Sequence, residues 1–397
     1  MEMPSIIKRN NQKPKIVACM VSHSAYFADA RIKNYVGTLL REGYEIDVFA
    51  LGDDDSEAGV NFTRVQDRYY GENPLRFIAS YLSFFIKAFC LVTSGFMKKK
   101  YRFIHVHNMP NFMVFVATIP RMLGAKVILD VHDTMPEHYA TKYELELRHP
   151  LIKCLKAEEL LSGTFADLII TTNDLHKITL LSRGHNEKKI AVIMNLANER
   201  IFFPRQGVRN HSANTSNLTL VYHGTIARRL GIDLILEAIY QLHEECPDLR
   251  LILIGDGEFM PQVKSLIHNY GIYDRVTVTG SVPVEEVPKY LAPADLGIIG
   301  NRRYTELQQN WMLPVKMLEY AALEMPTIAP RLRIIEWYFD DTNAIFYDPD
   351  NVEELAKCIK EVYYNKMQIE SFKPGLRRFN QLYSWKIMEK IYLDLIR

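Results

Sequence analysis

Short apolar runs, rich in β-branched residues, recur along the chain and alternate with longer amphipathic stretches. They predict buried strands at residues 15–21, 45–51, 103–107, 126–131, 167–172 and 190–194, and again at residues 218–222, 249–254, 275–279, 295–299 and 327–329. Repeated alternation of strand and helix is typical of an open, doubly wound parallel sheet. A polar stretch at residues 205–217 separates the two series and is the best linker candidate.

The length of 397 residues exceeds one ordinary hydrophobic core, so we predict an α/β protein with two Rossmann-like domains in tandem. The predicted boundaries are residues 1–204, a linker at 205–217, and residues 218–381. Ligands of open α/β sheets bind beyond the carboxyl ends of the strands. We therefore expect the two domains to face a central cleft that holds the substrates.

Composition narrows the class of protein. Hydrophobic residues make up 48% and charged residues 24%, as in soluble globular proteins. The formal net charge of +1 argues against a general nucleic-acid binder, and no nucleic-acid partner is expected. The five cysteines form no CxxC pair, which indicates a reducing compartment and no thiolate zinc site. We see no secretory signal in the polar, basic first fifteen residues.

One apolar segment, Phe77 to Met97, is long enough to cross a bilayer. Lys87 lies at its centre, where a charge costs roughly 2.5–3.5 kcal/mol on insertion scales. We therefore predict a mostly buried helix. The cluster Lys98-Lys99-Lys100 leaves a shallow, peripheral contact with a membrane surface as an alternative.

A predicted helix begins at Pro314 and ends near Leu323. Its spacing puts Lys316 and Glu319 on one face, and Val315, Leu318 and Ala322 on an apolar stripe. A cation and a carboxylate near the positive end of a helix suit an anion such as a diphosphate. The plainer interpretation is a half-buried helix with a surface ion pair.

Polar residues concentrate where the predicted strands end. In the second half these are His223-Gly224-Thr225, with Arg228-Arg229 following, and Gly255-Asp256. Small residues let backbone amides approach a ligand, and an arginine at the next helix start can neutralise a phosphate. Neither half contains GxGxxG, which lowers the odds of a dinucleotide-dependent oxidoreductase.

In the first half, alternation along the strands pairs His105 with His107 and Asp130 with His132. Three interpretations stay open: a metal site, an imidazole positioned for proton transfer or a substrate contact, and polar groups satisfied at a sheet edge. His23, Asp29 and Arg31 lie in the first strand-to-helix connection, at the same cleft edge.

The segments FIHVHNMPNF, KVILDVHDTMPE, VYHGTIARRLGIDL, LILIGDGE, VTVTGSVPVEEVPKYLAPADLGI and LPVKMLEYAALEMPTIA follow one another in the chain. In this order they resemble the motifs of family 4 glycosyltransferases of the GT-B fold, over most of the chain. The resemblance implies transfer of a hexose or N-acetylhexosamine, with retention, from a UDP- or GDP-sugar to a glycan or lipid-linked acceptor in surface polysaccharide or glycolipid assembly. It also implies no metal cofactor, a cytoplasmic location and a C-terminal helix, about 382–397, that packs back on the first domain. The alternative of a peripheral position at the inner membrane surface rests on the cluster Lys98-Lys99-Lys100.

Carried over residue by residue, the resemblance assigns three sets of positions. The catalytic set is His132, Glu319, Lys316 and Arg229. The donor-binding set is His223, Gly224, Thr225, Gly255, Asp256, Val282, Met312, Leu313 and Pro314. The acceptor-side set is His23, Asp29, Arg31, Asp133 and Glu137.

The chain departs from the family pattern at two positions. Trp311 stands where the family often has a first glutamate, whose sugar contact then falls to backbone groups, to Glu306 or to no group at all. Leu230 stands where a lysine often precedes the glycine of the phosphate loop, which leaves Arg229 as the cation. The alternatives are a catalytically weak nucleotide-sugar-binding subunit, a sugar-nucleotide epimerase and a metal-dependent hydrolase.

Overall fold

Thirteen described strands form two separate parallel sheets. The computed structural model describes residues 16–26, 29–52, 58–69, 71, 73–204, 217–303 and 310–397. The first sheet has the strand order β3-β2-β1-β4-β5-β6-β7. Its strands are β1 Val17–Ala25, β2 Glu45–Leu51, β3 Val60–Gln66, β4 Phe103–His107, β5 Lys126–Val131, β6 Leu168–Thr171 and β7 Ile190–Val192.

The second sheet has the strand order β10-β9-β8-β11-β12-β13. Its strands are β8 Leu218–His223, β9 Leu249–Ile254, β10 Val276–Gly280, β11 Leu296–Ile298, β12 Thr327–Pro330 and β13 Ile345–Tyr347. In each sheet the order reverses beside the first strand, between β1 and β4 and between β8 and β11. Such a switch point opens a crevice at the carboxyl ends of the strands, which is where ligands bind. The predicted α/β fold with two doubly wound sheets is confirmed.

Helices connect the strands and cover the sheets. In the first half they are α1 Ala30–Arg41, α2 Pro74–Lys99, α3 Thr118–Met122, α4 Met135–Lys142, α5 Pro150–Phe165 and α6 Asp174–Ser182. In the second half the described helices are α7 Ile232–Gln241, α8 Met260–Asn269, α9 Val287–Leu291, α10 Val315–Ala322, α11 Arg333–Glu336, α12 Val352–Tyr364, α13 Met367–Leu382 and α14 Trp385–Ile396.

The last helix, α14, packs on β4 and α1 of the first half. Its Tyr392 hydroxyl is 3.1 Å from His105 Nδ1, and its Glu389 accepts a 3.0 Å hydrogen bond from Thr38. The ring of Trp385 packs edge-on against Tyr35 at 5.8 Å. The chain therefore returns to the first half after completing the second.

The sequence pattern missed two strands. β3 lies at the sheet edge and has only one buried residue, Val65, so it lacks a continuous apolar run. β13 has three residues and is equally an edge strand. The predicted linker at 205–217 lies outside the described residues, apart from residue 217.

The prediction that the Phe77–Met97 segment is mostly buried is wrong. Helix α2 buries only one side against the sheet, through Phe84, Ala88, Val92 and Phe96. By length and composition alone, α2 qualifies as a membrane-spanning helix. Only 17% of its most apolar window is buried within the protein. Apolar residues on its other side therefore face outward.

Candidate active site

A cleft of about 560 Å³ opens at the carboxyl edge of the second sheet. Its walls come from the loops after β8, β9, β10 and β11 and from the start of α10. The cleft brings together all nine predicted donor-binding residues and three of the four predicted catalytic residues. These twelve lining residues are His223, Gly224, Thr225, Arg229, Gly255, Asp256, Val282, Met312, Leu313, Pro314, Lys316 and Glu319. Further lining residues were not among the predicted ones.

Two glycines allow the loops of this cleft to touch. Gly255 has a φ of +134°, and a Cβ there would lie 1.9 Å from the carbonyl oxygen of Gly224. Gly224 has a φ of +108°, and its Cβ would lie 3.4 Å from Lys316 Cε. Only glycine accepts such a backbone at no steric cost. The lysine ammonium thus lies directly beside the bare backbone of the β8 loop.

Lys316 is desolvated, and both an anion, Glu319, and a cation, Arg229, act on its ammonium. Its Nζ lies 3.7 Å from the centre of the buried Tyr222 ring, a cation–π geometry. Desolvation, and then the charge of Arg229, lower the pKa of Lys316 to about 7, although Glu319 acts in the opposite direction. An anion placed in the cleft would favour the charged form of this lysine.

This lowered pKa predicts a proton-linked affinity for a diphosphate donor. The bound donor raises the pKa of Lys316, so binding takes up a proton above pH 7, and affinity should fall with rising pH by up to about tenfold per unit. Calorimetric titration of a nucleotide-sugar between pH 7 and 9 measures this slope. Lys316→Arg keeps the cation charged throughout and should flatten the slope; equal slopes in both proteins would contradict the assignment.

Glu319 is bound to the end of β8. Its Oε2 lies 2.5 Å from His223 Nε2, while His223 Nδ1 lies 3.0 Å from the Tyr320 hydroxyl. That hydroxyl donates a 3.1 Å hydrogen bond to the carbonyl of Val221. The His223 ring is thereby fixed, and the carboxylate of Glu319 is held at the cleft wall.

The helix that carries these groups differs in detail from its prediction. Pro314 is the N-cap of α10, and no side chain caps the first turn. The buried side of α10 consists of Met317, Leu318, Tyr320 and Ala321, whereas Val315, placed on the apolar stripe by the sequence, is 40% exposed. The first turn of α10 therefore lines the cleft without a side-chain cap, as an anion site requires.

Trp311 joins the two halves of the molecule. Its indole Nε1 donates a 2.8 Å hydrogen bond to Thr179 Oγ1 in α6, and its carbonyl accepts a 3.0 Å bond from Asn173 Nδ2. Trp311 thus supplies an interdomain contact where the family often has a carboxylate. Glu306, the other candidate for that contact, lies outside the described residues.

His132 lies next to this junction. Thr172 Oγ1 is 3.4 Å from the His132 carbonyl and 3.3 Å from Asn173 Nδ2, which in turn bonds Trp311. The ring is half-buried, and its Nδ1 has no described partner. His132 therefore lies near the junction of the two halves but is not among the residues that line the cleft, whereas the other three predicted catalytic residues line it.

Two predicted acceptor-side residues do not line a cleft. Arg31 is buried and donates to both carboxylate oxygens of Asp130, at 2.8 and 2.9 Å, and to the carbonyl of Ile193. Glu137 is 2% exposed and forms an ion pair with Arg183. Both side chains are buried and form ion pairs inside the first domain, although Glu137 Oε2 has no described partner, so their assignment to the acceptor side is corrected.

The remaining three acceptor-side residues lie at the carboxyl edge of the first sheet. His23 stacks on Tyr81 with ring centres 4.3 Å apart, and desolvation, then the charge of Arg68, lower its pKa to about 4. Asp29 caps α1 by accepting bonds from two backbone amides. Asp133 is exposed in the loop after β5.

The His105, His107 and Asp130 cluster is completely buried. His107 Nδ1 lies 3.2 Å from Asp130 Oδ2, and the carboxylate is already clamped by Arg31. Burial by itself would raise the pKa of Asp130, but the Arg31 charge and the His107 and Arg31 hydrogen bonds hold it well below its usual value. A guanidinium on both oxygens repels a divalent ion and blocks its ligand, so the cluster fits a structural role better than a metal site.

Sequence analysis did not single out Asn301 or Ser281 as site residues, yet both line the cleft. Asn301 is 3% exposed, and its Oδ1 has no partner among the described residues. It follows the carboxyl end of β11, so the concentration of polar residues at strand ends was the signal that could have found it.

Comparison with known proteins agrees with this architecture. The family profile described as Glycosyltransferase Family 4 matches residues 29–199, and the one described as Glycosyl transferases group 1 matches residues 217–365.

A chitobiosyldiphosphodolichol beta-mannosyltransferase of Candida albicans is 23% identical over 63% of this chain and 57% of its own length. A mannosylfructose-phosphate synthase of Agrobacterium fabrum is 25% identical over 70% of this chain and 62% of its own length. An alpha-D-kanosaminyltransferase of Streptomyces kanamyceticus is 27% identical over 36% of each chain. The chain thus spans 36% to 62% of the length of these curated relatives.

Solved structures share the fold at low identity. Sucrose-phosphate synthase from Thermosynechococcus elongatus superimposes with a TM-score of 0.74 at 17% identity, over 96% of this chain and 98% of the other. Anabaena HepE in complex with UDP and glucose gives a TM-score of 0.70 at 15% identity over 96% and 98%. Because the two profiles match successive halves of the chain, and the two facing sheets are those of these structures, the chain belongs to the family 4 glycosyltransferases of the GT-B fold.

Proposed function

We propose that this protein is a retaining glycosyltransferase that moves a hexose or N-acetylhexosamine from a UDP- or GDP-sugar to a hydroxyl of a glycan or lipid-linked acceptor. The proposed pathway is surface polysaccharide or glycolipid assembly. The observation that carries the proposal is the cleft in which Lys316, Glu319 and the uncapped start of α10 meet the loops after β8 and β9.

The charges of the cleft suit departure of a nucleoside diphosphate. Breaking the bond to the sugar develops negative charge on the diphosphate, and fixed cations with helix amides stabilise that charge. In this proposal Lys316 and Arg229 offset it, and the backbone of Met312 to Pro314 contacts the sugar. Glu319 accepts hydrogen bonds from the ribose hydroxyls. To do so, its carboxylate either gives up the contact with His223 or keeps it while also accepting from the ribose.

No metal cofactor enters the proposed reaction. Lys316 and Arg229 supply the positive charge that a divalent ion supplies in other transferases. The described residues hold one group with the spacing of a metal site, His105, His107 and Asp130, and Arg31 already occupies its carboxylate. Activity that persists with a chelator is the expected result.

Names of the similar proteins support the donor class. HepE was crystallised with UDP and glucose, and the named relatives include mannosyl and kanosaminyl transferases. A hexose or aminohexose on UDP or GDP fits that range. The acceptor side is assigned to the carboxyl edge of the first sheet, at His23, Asp29, Asp133 and His132. The proposed location is the cytoplasm, at the inner membrane surface.

A donor screen tests the proposal. Each UDP- and GDP-sugar is added to the protein and the melting temperature is measured, since a ligand that binds the folded state stabilises it by mass action. At a donor concentration of 100 times Kd the gain is about 2.7 kcal/mol. We expect one donor to stand out and its free sugar to be released slowly without acceptor. Failure of every nucleotide-sugar to shift the transition would overturn the proposal.

Trp311 favours a second candidate, a nucleotide-sugar-binding subunit of weak activity. The residue replaces a frequent carboxylate and is committed to contacts with α6. The same screen separates the two functions. Donor stabilisation without any release of sugar indicates the binding subunit, whereas stabilisation with slow release indicates the transferase.

A further inference from the structure

The outward side of helix α2 carries a continuous apolar stripe. Leu75, Ile78, Leu82 and Ile86 are 77%, 56%, 52% and 62% exposed. Met97, about three helical turns after Ile86, is 56% exposed. Their spacing of three, four and eleven residues keeps them on one side of a helix. From Leu75 to Met97 the stripe runs for about 33 Å along the 26-residue helix.

A row of cations borders the stripe. Arg76, Lys87 and Lys98 are exposed and follow one another at intervals of eleven residues, which is three helical turns. They therefore lie on the same flank of the stripe. Residues 74–100 contain five basic residues and no aspartate or glutamate. Apolar and purely cationic surface are thus combined on one helix.

This helix lies flat on the protein and does not leave it. Its opposite side is anchored by the buried Phe84, Ala88, Val92 and Phe96, and Gln66 Nε2 donates a 2.9 Å hydrogen bond to the carbonyl of Ser80. Crossing a bilayer would break this packing. An amphipathic, cationic helix whose apolar side is uncovered binds in the plane of a membrane, with its apolar residues at the boundary of headgroups and acyl chains.

We propose that α2 docks the first domain on an anionic phospholipid bilayer, with the apolar stripe inserted and the Arg76, Lys87, Lys98 row against the lipid headgroups. Charge complementarity selects this partner, because the acidic lipids of a membrane surface attract basic segments. Helix α2 begins at the carboxyl edge of the first sheet, where its Tyr81 stacks on His23. Docking therefore sets the acceptor side of the cleft beside the bilayer.

Vesicle flotation of the full chain tests this surface. We expect binding to vesicles of mixed phosphatidylglycerol and phosphatidylcholine, weaker binding to phosphatidylcholine alone, and loss at high salt, since salt screens the headgroup attraction. Leu82→Ser/Ile86→Ser should lower the binding constant at least tenfold. Lys87→Gln/Lys98→Gln removes two charges and should lower it about thirtyfold on anionic vesicles, at about 1 kcal/mol per charge.

The matched control is Lys357→Gln/Leu382→Ser, which changes an exposed cation and an exposed leucine in the second half. It should bind vesicles as the wild type does. Equal binding by the α2 variants, absence of binding to anionic vesicles, or a wild-type dimer that the stripe variant abolishes would each overturn the proposal. Vesicle binding needs no donor, so this result stands or falls separately from the transferase assignment.

Discussion

Replacing Glu319 or Lys316 by alanine is expected to lower sugar transfer at least about 100-fold, the scale on which removal of one fixed charge-stabilising group acts. In the proposed reaction, the ammonium of Lys316 meets the diphosphate and the carboxylate of Glu319 meets the ribose. Neither is needed for folding, since the ammonium of Lys316 is desolvated over Tyr222 and Glu319 forms one described side-chain bond, to His223. Turnover of labelled donor, together with the melting temperature, measures both effects.

A matched pair controls for removal of a charged residue. Lys357 and Glu361 form an exposed pair on α12 of the same half, with a separation of 3.9 Å. Their alanine variants should transfer sugar at the wild-type rate, because surface ion pairs contribute little. Wild-type turnover by both Glu319→Ala and Lys316→Ala would remove the donor site from this cleft.

Asp130→Ala is expected to destabilise the protein by roughly 3–5 kcal/mol, the cost of leaving a buried charge without its partner. Arg31 would remain buried beneath the first sheet, with only the Ile193 carbonyl as a described acceptor. Desolvation, and then the charge of His107, hold the pKa of the neighbouring His105 well below its usual value. Its ring therefore stays neutral and supplies no negative charge to Arg31. Denaturant unfolding measures the loss.

The double variant Arg31→Met/Asp130→Leu should recover most of that loss, because it removes both buried charges together. Asp394→Ala, which breaks an exposed pair with Arg397 on α14, should cost at most about 1 kcal/mol. An Asp130→Ala protein as stable as the wild type would contradict the structural role. A rise in wild-type stability on adding zinc would place a metal in the cluster.

The donor cleft was largely predictable from the sequence. Its residues follow strand ends or begin a helix, and both features depend on local pattern: an apolar run, then glycine and polar residues, then an amphipathic stretch. The prediction that His223, Gly255 and Lys316 share one site agrees with their common position in the cleft wall, although they lie far apart in the chain. Asn301 follows the same rule after β11, a strand that the sequence pattern did predict, so the same signal pointed to it.

The acceptor side was less predictable, because its residues owe their roles to distant partners. Arg31 and Asp130 are 99 residues apart, and Glu137 and Arg183 are 46 apart. No local pattern tells a buried guanidinium that completes an ion pair from one that lines a cleft. Two of five assignments at this edge were wrong for that reason.

By itself, the sequence determined the two series of strands, the order of the motifs and thereby the family, since each depends on residues close together in the chain. Only the tertiary structure decided which charges are paired, which face of α2 is covered and how far the pKa of Lys316 falls. Those properties depend on which side chains, distant in the sequence, pack together in the folded protein, and on how much water they exclude. Trp311 shows both sides: the sequence marks it as a departure, and the fold shows it bridging the two domains.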